Sequence, residues 1–142
     1  MVAIKILDEA TGLIGGWGMP FGKYLDGQFF AEETDFAFDW FPQEGRPLLF
    51  HHGMDDTLQM EVIGRQVGKR LDPQMGIWVE VQLDRAHRYA EAVIELLKKG
   101  ALGFSSGSMG HLIQVLDTGK IARWPWVEIT LTPMPAHPNA LL

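Results

Sequence analysis

The sequence predicts one mostly β domain carrying a single amphipathic helix, and three observations lead there. The chain has 142 residues, 46% hydrophobic and 21% charged, a balance typical of an ordinary globular domain that buries its own core. Its apolar runs are short, rich in β-branched and aromatic residues, and bounded by Gly, Pro or Asp, which is the pattern of strands and turns. Only one segment repeats its apolar residues at helical spacing.

The elements follow in order. Val2–Leu7 reads as a first strand. The stretch GLIGGWGMPFGKYLDGQFFAEETDF, residues 12–36, mixes glycines with large rings and has no 3.6 period, so it is expected to form loops and short strands packed by aromatics. Pro47–His52 and Val62–Lys69 read as strands. Ile77–Gln82 lies in GIWVEVQLD and alternates cleanly, with Ile77, Val79, Val81 and Leu83 on one face and Trp78, Glu80 and Gln82 on the other. The helix is expected from Asp84 to Lys99. Asp84 is its N-cap, Tyr89, Val93, Leu96 and Leu97 form its apolar stripe, Lys98 and Lys99 suit its negative end, and Gly100 supplies the left-handed stop. Ala101–Gly107, Leu112–Leu116 and Trp126–Thr132 complete the strands. In the last, Trp126, Glu128, Thr130 and Thr132 share one face, Val127, Ile129 and Leu131 the other.

Charge and composition exclude several functions. A net charge of -6 with scattered Lys and Arg argues against a nucleic-acid surface. No apolar run reaches the roughly 18 residues of a membrane span, and the first twelve residues lack the apolar core of a signal peptide, so a cytosolic origin is expected. There is no cysteine, hence neither a disulfide framework nor a thiol nucleophile. A zinc site is disfavoured, because adjacent histidines on a strand diverge and no His-Glu-x-x-His pair occurs. No metal or other cofactor is expected.

The chemistry-bearing residues cluster in three segments. GFSSGSMGH, residues 103–111, formally matches the Gly-x-Ser-x-Gly nucleophile elbow at Ser105, and the order Ser105, Asp117, His137 fits that hydrolase triad. Its context does not, since a helix precedes the serine and β-like residues follow. A nucleophilic serine needs a base, and the base an orienting group. RPLLFHHG, residues 46–53, offers His51 and His52 on opposite faces of a strand, His52 with Leu48 and Phe50, His51 with Leu49. Parity alone leaves open which face lines a site. His87 and His111 are more isolated. Glu128 in mid-strand either faces water or holds an imidazole.

These segments in this order, joined by the GIWVEVQLD strand and a helix and ending in WPWVEITLTPMPAHPNA, resemble the prohead (capsid maturation) proteases of tailed bacteriophages over nearly the whole chain. The resemblance implies a serine endopeptidase with the fold of herpesvirus assemblins, an antiparallel β-barrel with flanking helices. It implies one protease domain over residues 1–142, with any scaffold-like extension beyond it. By position Ser105 corresponds to the nucleophile, His52 to the general base and Glu128 to the third triad member. The Ser105-Ser106 and His51-His52 doublets leave a neighbour open in each case. Implied substrates are phage scaffold and capsid-protein segments, and the protease itself. The implied location is the host cytoplasm, inside the assembling prohead, with a homodimer or larger oligomer as a further expectation and neither nucleic acid nor membrane as partner. The competing expectation is a noncatalytic scaffold or capsid-assembly module that keeps the protease fold.

Overall fold

A computed structural model describes residues 4–23, 27–40, 45–51 and 61–133. Seven strands form its main sheet: β1 (Ile4–Asp8), β2 (Leu13–Pro20), β5 (Pro47–Phe50), β6 (Gly64–Asp72), β7 (Gly76–Leu83), β8 (Gly103–Gly107) and β11 (Glu128–Thr132). Their spatial order is β1-β2-β7-β6-β5-β11-β8. Two small ribbons flank the sheet, β3 (Gly22–Lys23) with β4 (Phe29–Phe30), and β9 (Gln114–Val115) with β10 (Ile121–Arg123). The helix, α1, spans Ala90–Lys98, and among the described residues no helix is long and apolar enough to cross a membrane.

Local chemistry explains the best-formed hairpin. Asp72 Oδ1 accepts the backbone N–H groups of Gln74 and Met75 at 2.9 and 3.1 Å, and Gly76 takes φ +131°, a conformation open to glycine. This turn returns β6 onto β7 from Asp72↔Gly76 to Gly64↔Leu83. The expected alternation in β7 holds: Ile77, Val79, Val81 and Leu83 are buried, and Trp78, Glu80 and Gln82 are half-buried. With Ile14, Met19, Leu48, Phe104, Ile129 and Leu131 they form one inner face, against which α1 packs Ala90, Val93, Ile94 and Leu97. Each such aliphatic side chain contributes about 1.5–3 kcal/mol by leaving water.

The mostly β architecture with one helix is as expected, but several details are corrected. The sheet is not wholly antiparallel, because β5 and β11 run parallel. Among the described residues one α-helix flanks it, and no closed barrel forms: β1 and β8 are edges. The sheet nevertheless curls until β2 and β8 approach one another. β1 pairs only with Leu13–Gly16 of β2, and the register shift between Trp17 and Met19 bends the remainder. Gly18 sits at this seam, where a Cβ would meet Val79 Cγ2 at 2.5 Å and Ile129 Cδ1 at 3.2 Å.

Leu13–Pro20 refines the expectation for the glycine-rich stretch: among the expected loops and short strands it forms one eight-residue strand. Its glycines leave room for rings from the neighbouring strand; a Cβ on Gly15 would lie 2.8 Å from Trp78 Cζ2. The helix starts at Ala90 rather than Asp84, because the Asp84 carboxylate accepts the Ala86 N–H at 3.0 Å and caps a preceding turn instead. Gly100 does adopt the left-handed stop, φ +68°. Leu112–Leu116 divides into a 3-10 turn ending at Leu112 and the short β9.

Candidate active site

The register of β8 against β11 separates the two serines. Ser105 lies opposite Thr130, Ser106 opposite Ile129 and Gly107 opposite Glu128. Directly opposed residues share a face. Ser106, only 7% exposed, therefore joins Ile129 on the inner face, whereas half-buried Ser105 lies with Thr130, Thr132 and Glu128 on the outer one, where both threonines are themselves buried. The third hydroxyl of the run, Ser108, donates to the Pro125 carbonyl at 2.6 Å and ties the end of β8 to the approach of β11.

Glu128 reaches across to β8. Its carboxylate lies over Gly107 so closely that any Cβ there would collide with Oε1. Its backbone is anchored from below: Trp126 Nε1 donates to the Glu128 carbonyl at 2.7 Å, Arg46 Nε donates to the Trp126 carbonyl at 2.8 Å, and the Arg46 guanidinium stacks 4.2 Å from the Trp126 ring centroid. Arg46 is buried, and that burial lowers its pKa. Phe38 meets the Trp126 ring edge-on at 6.0 Å and stacks on Phe36 at 5.4 Å, which in turn meets Phe30 at 5.2 Å. Rings from the early aromatic region thus support the strand that presents Glu128. The expected sharing of a face by Trp126 and Glu128 is corrected, because regular pairing begins at Glu128 and Trp126, two residues before it, turns its fully buried ring into the core.

The third segment arrives on the other side of β11. β5 pairs with it in parallel, Leu48↔Ile129, Leu49↔Thr130 and Phe50↔Leu131, so Leu49 and then His51 fall on the outer face with Ser105. His51 adopts φ +51°, left-handed and uncommon for a residue with a side chain. Its Nδ1 lies 2.7 Å from Thr132 Oγ1. His52 lies outside the described residues, and the left-handed turn at His51 ends the alternation from which its face was inferred. His137 also lies outside them.

Three of the expected participants therefore meet on one face of three adjacent strands: Ser105, Glu128 and the first histidine of the doublet. They do not form one continuous chain of hydrogen bonds among the described residues. Glu128 and His51 sit at opposite ends of β11, about 13 Å apart along the strand, and the His51 imidazole is held by Thr132. Sequence reasoning placed Thr132 on the Glu128 face and assigned it no role; its signal was the alternation in EITLT. The hydrolase alternative finds no support in geometry. Ser105 is in mid-strand rather than on a strand-to-helix turn, and Asp117 is exposed in the turn between β9 and β10. His87 accepts the Tyr89 N–H at 3.2 Å and faces Glu61 at 3.5 Å, a local structural role.

No family model matches the sequence. Among curated proteins and solved structures, likewise, none matches it.

Proposed function

We propose that this chain is a serine endopeptidase of the phage prohead type that trims scaffold or capsid-protein segments, and itself, during head maturation. Ser105 is its nucleophile, His52 its general base and Glu128 its third triad member. The observation that carries the reading is the common outer face. β8 presents Ser105 there, β11 presents Glu128, and β5, on the other side of β11, brings His51 to the same face opposite Thr132. The curl of the sheet toward a seam between β2 and β8 supports the finer expectation of an assemblin-like barrel.

In this reading the imidazole accepts the Ser105 proton as Oγ attacks a peptide carbonyl, then donates it to the leaving amine. A carboxylate near the other imidazole nitrogen fixes the tautomer and stabilises the transient cation. Ser105 belongs to an edge strand, so a substrate can approach it without dismantling a ladder. The test is coexpression with the major capsid and scaffold proteins of the same phage, followed by intact-mass analysis. Processed products should appear with the native chain and vanish with Ser105→Ala. Identical masses in both would favour the noncatalytic assembly module.

A further inference from the structure

The outer face carries a second feature that the proposed chemistry leaves unused. A cleft of about 590 Å³ opens over the ends of β5, β6 and β7, lined in part by Pro47, Arg65, Gln82, Asp84 and Arg85. Strand register connects it to the candidate site. Gly107 opposes Glu128, the β5/β11 pairing brings Pro47 alongside Glu128, Pro47 opposes Arg65, and Arg65 opposes Gln82. One row thus runs across five strands on the face of Ser105, from the nucleophile strand into the cleft. Arg65 lies three strand spacings across and two residues along from Ser105, about 16 Å, or four to five residues of extended peptide.

The charges in the cleft are unequally committed. The Arg85 guanidinium is 2.7 Å from Glu91, and the Asp84 carboxylate accepts the Ala86 N–H. Arg65 is exposed and makes no ion pair among the described residues. On a chain of net charge -6, an exposed guanidinium in a concave site is a local attractor for a carboxylate, and its planar fork suits bidentate recognition.

We propose that this cleft is a substrate subsite that takes an acidic side chain four to five residues from the bond cleaved at Ser105, with Arg65 as its specificity determinant. The inference rests on the endopeptidase reading for its substrate, and its test separates the two. An unbiased synthetic peptide library digested by the full chain should show Asp and Glu enriched about fivefold over Asn and Gln at one position in that window. Arg65→Gln should flatten the enrichment, and Arg65→Glu should move it to Lys and Arg at the same position. Cuts that require Ser105 but show no acidic preference there, or a preference that survives Arg65→Glu, overturn the subsite. Absence of any Ser105-dependent cut overturns the endopeptidase reading instead. The subsite is then decided by binding to the Ser105→Ala chain of a labelled alanine-serine decapeptide carrying one Glu. About fivefold tighter binding than its Gln counterpart, lost in Arg65→Glu, supports it; equal binding of the two peptides overturns it.

Discussion

Ser105 and Ser106 are chemically identical and one residue apart, and what distinguishes them is the face each occupies. Ser106 is packed against Ile129 in the core, out of reach of an imidazole on the outer face. Ser106→Ala should therefore keep peptidase activity within about threefold, whereas Ser105→Ala should reduce it by at least about 10³-fold, as expected for loss of a nucleophile; product masses over a time course measure both. Thr132 is a different case. Thr132→Val leaves the His51 imidazole without its hydroxyl partner and should cost about 1 kcal/mol, a fall of roughly 2–4 °C in melting temperature, whereas Thr132→Ser keeps the hydroxyl and should recover most of that stability. An unchanged melt would show that the 2.7 Å contact contributes nothing. At this scale the sequence revealed the residue types and, through alternation, that Glu128 and Thr132 share a face. The resemblance assigns Ser105 by position; the face of each serine follows only from the register against β11, and the turn at His51 breaks the alternation on which a choice between the histidines would rest.

At the scale of elements, two glycines carry consequences of opposite kinds. Gly107 faces the far end of a flexible side chain, so Gly107→Ala displaces the Glu128 carboxylate with little effect on the core. Activity should fall while the melting temperature stays within about 2 °C, a change of half a kcal/mol or so. Gly18 faces Val79 and Ile129 within the packed core. Gly18→Ala overpacks the seam between β2 and β8 and should cost about 1–3 kcal/mol, visible as a lowered midpoint in urea unfolding. These glycines also explain what the sequence concealed. β7 was legible because its alternation is complete, and α1 because its stripe recurs at 3.6. β2 was not, because glycine has poor strand propensity and its value there lies in the rings and branched chains it admits from other strands. The start of α1 was misplaced since an Asp that can cap a helix caps a turn equally well.

For the whole molecule, the fold class was readable and the topology was not. Short β-like runs and one helix announce a mostly β domain, but nothing local says that β11 inserts between β5 and β8, parallel to one and antiparallel to the other. That arrangement comes from burying Ile129 and Leu131 against Leu48 and Phe104, residues far apart in sequence. It also creates the candidate site, because the same insertion aligns the outer faces of the three strands. On the proposed function, this face holds a serine activated by a neutral imidazole. The most direct measurement is the rate at which a fluorophosphonate probe labels the folded chain, followed by intact mass from pH 4 to 9. One label is expected, on Ser105 and absent from Ser105→Ala, with a rate that rises through a histidine pKa of about 6–7 and drops by about 10²-fold or more in His52→Ala. A folded chain that takes no label, or that labels equally fast at pH 4 and pH 8, would contradict it.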